Sequence, residues 1–168
     1  MFQLYDHASS SPNAERQAWM ALLARAPQTL LDQALQAHTA AEPLWLRRPE
    51  TGLMMVQGRA GGTGERFNLG EITVTRCALR LAPTREYAPV GVAYVLGRNH
   101  RQAQLAAVAD ALLQDPAQRG VLETSLLEPA RQHVLRQQAE RQQRAQTTKV
   151  DFLTVAREAG NDPEAENA

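Results

Sequence analysis

The chain has 168 residues, long enough for one domain with a sizeable core. Lys+Arg and Asp+Glu both number 18, so no net field draws it to nucleic acid or to an anionic membrane. A single cysteine, Cys77, and four scattered histidines (His7, His38, His100, His133) exclude an internal disulfide, a cysteine-based zinc site and a self-contained iron–sulfur cluster.

The first residues, MFQLYDHASS, show neither the charged start nor the apolar run of a signal peptide. No apolar run approaches the ~20 residues of a membrane span, so the expected location is the cytoplasm. Ser11-Pro12 reads as a helix start, with proline where its missing N–H costs nothing. Trp19, Leu22 and Leu23 form a helical stripe that ends near Ala26-Pro27. A second amphipathic helix is predicted over 28–38, carrying Leu30, Leu31 and Leu35.

The middle of the chain reads as about four strands. They are Leu44–Leu46, Leu53–Val56, Ile72–Leu81 and Val90–Leu96, and the short spacers favour an antiparallel meander. From Asn99 the period changes. Leu105, Val108, Ala109, Leu112 and Leu113 predict a helix that covers one sheet face and stops at Asp115-Pro116. Asp110 lies beside that stripe and is expected to be exposed. A weaker helix follows over Val121–Leu127, then a long polar helix from Pro129, apolar mainly at Val134 and Leu135. Beyond it stands an isolated apolar cluster, Val150, Phe152, Leu153 and Val155, which either folds back on the domain or docks on another subunit. The expected class is α+β in a single domain, 1–160. The long polar helix and docking segment take up about 129–158, and the acidic end, 161–168, is a disordered tail.

The densest stretch for chemistry is GRAGGTGERFNLGEITVTRC, residues 58–77. Two strand ends leave through Gly-Arg: Val56-Gln57-Gly58-Arg59 and Val95-Leu96-Gly97-Arg98. Arg59 and Arg66 bracket a glycine loop, Gly61, Gly62 and Gly64, whose amides can approach an anion closely. Arg98, with Asn99 and His100, stands at a predicted helix N-terminus. If the sheet brings Arg59, Arg66, Arg76 and Arg98 to one edge, the guanidinium groups suit a triphosphate or similar polyanion. The alternative is a hairpin whose glycines serve positive-φ turns and whose arginines are solvated or paired with Glu65 and Glu71. The loop is not a Walker motif, since no Lys-Ser/Thr follows it, and its spacing is not that of the dinucleotide fingerprint.

The strand after the loop changes apolar phase near Thr75-Arg76. A bulge there explains it, and so does burial of both faces, in which case Thr73, Thr75 and Arg76 need partners. Cys77 sits among apolar neighbours as a small core residue rather than a nucleophile, and neither a catalytic triad nor a carboxylate pair is visible.

The run Glu50-Thr51-Gly52-Leu53, then GRAGGTGERF, GEITVTR, Val-Leu-Gly-Arg-Asn (95–99), Asp110-Ala-Leu-Leu-Gln and VDFLTVARE resembles the PhnG subunit family of the bacterial carbon–phosphorus lyase system, from about Arg16 to Glu158. Departures are Asn68-Leu69 in the loop, Asn99 and the longer polar tail. The resemblance implies phosphonate catabolism in a hetero-oligomer with PhnI, PhnH and PhnJ and a PhnL-like ATPase. In that system methylphosphonate displaces adenine from ATP to give α-D-ribose 1-methylphosphonate 5-triphosphate. It implies a transferase subunit rather than a complete enzyme, with no cofactor of its own and ATP as a substrate of the complex. Within it, Phe67, Val150, Phe152, Leu153 and Val155 would be docking residues, and Arg59, Gly61, Gly62, Gly64, Arg66, Arg76 and Arg98 candidate anion contacts.

Overall fold

A computed structural model describes residues 13–38, 42–81 and 88–147. Its helices are α1 (Ala14–Leu23), α2 (Gln28–Ala34), α3 (His100–Leu113), α4 (Pro116–Leu122) and α5 (Glu128–Thr147), with a short 3-10 turn at Gln36–His38. Its strands are β1 (Leu44–Arg59), β2 (Arg66–Arg80) and β3 (Val90–Leu96), in one antiparallel sheet of order β1-β2-β3. The class is α+β as expected, with three strands rather than about four. Leu44–Leu46 and Leu53–Val56 are one strand, because β1 is an edge where Pro49 removes no ladder hydrogen bond.

The helices lie on one sheet face. Thr75, Cys77 and Leu79 of β2 and Ala93 and Val95 of β3 are buried there with Leu105, Ala107 and Leu113 of α3 and with Trp19, Leu23 and Leu31. Aliphatic and alanine side chains supply this core, in keeping with a chain of 5% aromatic content. Alanine lets α3 lie close on the sheet. A Cβ added at Gly91 would stand 1.9 Å from the Ala107 carbonyl oxygen. Here glycine is required by proximity, not by backbone angle.

The phase change in β2 is no bulge: apolar residues stand on both faces, and of the residues on the face that the helices leave open, Val74 is buried. Pairing of β2 with β3 runs unbroken through Thr75↔Val95 and Arg76↔Tyr94, so no bulge interrupts it. Val74 and Thr75 are both buried, on opposite faces. The register shifts lie elsewhere: in β1 between Trp45 and Glu50, and at Val56/Gln57, where Leu69 of β2 is the extra residue.

The C-terminal helices form one nearly continuous rod. Asp115 caps α4 by accepting from Ala117 N–H (2.9 Å), and Pro116 takes the first helical position. The predicted helix over 121–127 is partly a wider π turn, Glu123–Leu127, that buries Leu126 and Leu127. In α5 only Ala130 and Val134 are buried, and Leu135 is exposed. The cluster Val150, Phe152, Leu153 and Val155 lies outside the described residues, as does the predicted helix start at Ser11-Pro12.

Gly91→Ala should destabilise the fold by about 3 kcal/mol, since α3 has to move off the sheet to admit one methyl group. Thermal unfolding checks this, with an expected midpoint fall on the order of 10 °C. An unchanged midpoint would contradict the close helix–sheet approach.

Candidate functional site

Among the described residues, Asp110 is a charged side chain buried whole. It was expected to be exposed, yet it has no exposed surface. Arg16 of α1 reaches it through Nε (3.2 Å to Oδ1) and Nη2 (2.7 Å to Oδ2), a two-pronged ion pair. The Trp19 indole N–H donates to Oδ1 (2.9 Å) and the Val92 backbone N–H to Oδ2 (2.9 Å). Arg16 Nη2 also donates to Val90 O, which accepts a second bond from Gln114 Nε2 (3.0 Å each). The backbone groups of Val90 and Val92 point away from β2, so the carboxylate and the guanidinium satisfy the open edge of β3. One carboxylate thus ties α1, α3 and β3 together. The correction has a plain cause. Asp110 follows Ala106 and precedes Leu113 on the buried side of α3, and donors from α1 and β3 compensate its desolvation. The signal in the sequence was Arg16 and Trp19, spaced three apart on one helix face.

A second polar line crosses the sheet. Thr75 Oγ1 donates to Gly97 O at 2.7 Å, an atom that only accepts. Its oxygen therefore accepts from Thr51 Oγ1 (3.2 Å), whose own oxygen accepts from His100 Nε2 (2.9 Å). The direction of each bond follows from the last, and it assigns the Nε2–H form to His100. Asn99 caps α3 by accepting from Gln102 N–H (3.0 Å) and donates to Gln28 Oε1 (2.9 Å). That N-terminus is already occupied by its own side chains, which weakens it as an anion site.

The candidate arginines are spread along the sheet. Arg59 and Arg66 are register partners at the tip of the β1–β2 hairpin. Arg59 Nη1 donates to Gly64 O (3.1 Å), and neither arginine forms an ion pair among the described residues. Gly61 and Gly62 take positive φ, 58° and 84°, as turn residues; Gly64 does not, and its amide bonds Ala60 O (2.8 Å). Arg76 lies ten residues from Arg66 along β2, about 30 Å at the usual rise. It is bonded to Glu50 (Nε–Oε1, 2.7 Å), which Arg47 also holds (2.6 Å). Arg76 and then Arg47 keep the Glu50 carboxyl below the usual carboxylate range. Arg98 follows Gly97, whose N–H meets Thr73 O (2.9 Å), so it stands where β1 and β2 begin to run on past β3. Only Arg59 and Arg66 are brought together. Cys77 is buried, and desolvation pushes its thiol up to about 11, away from a thiolate at neutral pH.

What the fold leaves uncovered is apolar. β3 pairs only with Val74–Arg80, so β1 and β2 run on beyond it as a two-stranded ribbon. Leu53, Met54, Met55, Phe67 and Leu69 are exposed on that ribbon. Phe67 lies against Gly58, where an added Cβ would touch the ring at 3.4 Å. Tyr94 and Leu96 continue the exposed surface onto the open face of the sheet. No helix among the described residues is long and apolar enough to cross a membrane.

These features define an α+β chain whose buried carboxylate is committed to its own fold and whose open sheet face and hairpin arm expose apolar side chains. The sequence profile described as phosphonate metabolism protein PhnG matches residues 14–158. A relative in Rhizobium meliloti (strain 1021), alpha-D-ribose 1-methylphosphonate 5-triphosphate synthase subunit PhnG, is 38% identical over 158 residues, covering 92% of this chain and 98% of that protein. The chain belongs to the PhnG family of phosphonate metabolism proteins.

Asp110→Ala would leave four N–H donors, from Arg16, Trp19 and Val92, without this acceptor and should cost about 3 kcal/mol of stability, with Asp110→Asn costing less because it keeps one acceptor oxygen. Urea unfolding followed by Trp19 and Trp45 fluorescence measures both. Equal and small losses would contradict the hub.

Proposed function

We propose that this chain is a subunit of an α-D-ribose 1-methylphosphonate 5-triphosphate synthase, working in phosphonate catabolism as a holder of other subunits rather than as the catalyst. The reaction of such a synthase breaks the bond between ribose C1 and adenine in ATP and forms one from C1 to a phosphonate oxygen, with adenine leaving. This chain's part is to complete the assembly in which that exchange takes place, beside subunits of the PhnH, PhnI and PhnJ kinds and a PhnL-like ATPase.

The observation that supports this reading best is the unpaired apolar ribbon, in a chain that closely matches a named synthase subunit over 92% of its length. An isolated two-stranded ribbon is marginal in water, so an exposed apolar one is built for another surface. Arg59, Arg66 and Arg98 remain candidate contacts for anionic oxygens contributed to by other chains, but a triphosphate pocket made by this chain alone would need them closer. Their separation along the sheet favours assembly over ligand capture.

Reconstitution of the synthase from purified subunits tests this. Omitting the chain should abolish formation of the ribose phosphonate from ATP and methylphosphonate, and the chain alone should release no adenine. Arg59→Ala with Arg98→Ala should leave nucleotide affinity of the complex within about twofold, because neither is placed as an anchor of a buried charge pair. Full turnover without the chain would overturn the proposal.

A further inference from the structure

The open face of the sheet is one continuous apolar track. On it the register places Met54 opposite Ile72, Gly58 opposite Phe67, and Leu96 beside Val74. Met54, Phe67, Tyr94 and Leu96 are 41%, 47%, 49% and 68% exposed. From Tyr94 to Phe67 the track crosses nine positions of β2, about 30 Å at the usual strand rise. The opposite face of the ribbon adds Leu53 and Met55. Together these reach the order of the ~800 Å² that one partner contributes to a stable interface.

Charge selects the occupant. The track is apolar along its length, with a charged cluster at its base and another at the tip of the hairpin that carries it. At the base stands Glu50, already shared by Arg47 and Arg76. At the tip stand Arg59 and Arg66, partners in register on the same side of the ribbon as Leu53 and Met55 and one position beyond the Gly58–Phe67 pair, with Glu65 beside them but bonded to neither. Like charges directly opposite on neighbouring strands repel, so the bare tip is an unfavourable arrangement that an acidic surface relieves. A second copy of this chain cannot supply that surface. Antiparallel face-to-face docking would bring the tip to a Glu50 that two arginines already hold, and parallel docking would bring arginine to arginine.

Resting on the subunit reading above, we propose that the ribbon and the open sheet face form the docking surface for a different polypeptide of the synthase, one with an apolar groove closed by carboxylates at the end that receives Arg59 and Arg66. The arm lies along the groove through Met54, Phe67 and Leu96, and the paired guanidinium groups fix its direction. Polar contacts set orientation and register, while the buried aromatic and aliphatic anchors carry most of the affinity.

Amide hydrogen exchange of the free chain and of the purified complex tests this. Amides of 53–59 and 66–73 should exchange at least about tenfold more slowly in the complex, while those of 136–147 in α5 stay as they are. Met54→Glu with Leu96→Glu should lower affinity for the complex on the order of 100-fold, with the melting midpoint of the free chain held within about 2 °C. Arg59→Glu with Arg66→Glu should weaken association at low salt more than at high salt. An intact complex whose ribbon exchanges at the free rate would overturn this inference alone. A ribbon protected in a homodimer of the isolated chain would overturn the choice of occupant. A wild-type chain that stays monomeric beside the other synthase polypeptides would overturn the subunit reading, and this inference with it.

Discussion

The buried carboxylate of Asp110 is the interaction on which the arrangement of layers depends. It sits on α3, takes two bonds from Arg16 and one from Trp19 on α1, and takes the backbone N–H of Val92 on β3. A lone carboxylate in such a place would be untenable, and a lone open strand edge would invite pairing with another chain. Each problem answers the other. The edge donors stabilise the charge, and the charge, with Arg16 on Val90 O, closes that stretch of edge. α1 is thereby fixed beside β3 rather than elsewhere on the core. Gly91 then sets the depth of α3, since its missing side chain lets the Ala107 carbonyl come within contact of the strand.

With one sheet face covered in this way, the other is free by construction. The helices pack on the side of Thr75, Cys77 and Leu79, and none of the described ones covers the side of Val74, Tyr94 and Leu96. The extension of β1 and β2 past the end of β3 lengthens the uncovered surface into an arm. The same physics that makes this domain stable thus leaves a patch that water does not favour. The matched relative is named as a synthase subunit, and assembly is the use proposed for that patch.

Much of this fold was legible in the residues. The helical stripes of 100–113 and 14–23, the strand character of 72–80 and 90–96 and the α+β class follow from periodicity alone. Strand number came out one too high because Leu44–Leu46 and Leu53–Val56 are separate apolar runs, whereas an edge strand with bulges carries the polar residues between them. Asp110 was misjudged because a helical wheel places a residue on a face but does not reveal the donors brought to it from Arg16, Trp19 and Val92. The arginines illustrate the same limit. Arg59 and Arg66 are near in sequence across a tight turn, so their meeting follows from the hairpin. The placement of Arg76 and Arg98 depended on register, and register is a tertiary property.

The central claim is that the face left bare by the core is the one that another polypeptide covers. Met54 and Met55 point to opposite faces of the ribbon and are both exposed in the free chain, which makes them reporters built into the site. Peroxide oxidation followed by mass spectrometry, on the free chain and on the assembled synthase, reads their accessibility directly. Both should oxidise readily in the free chain, and Met54 should slow at least about tenfold on assembly. Met54 oxidised at the same rate in free and assembled protein would contradict the account.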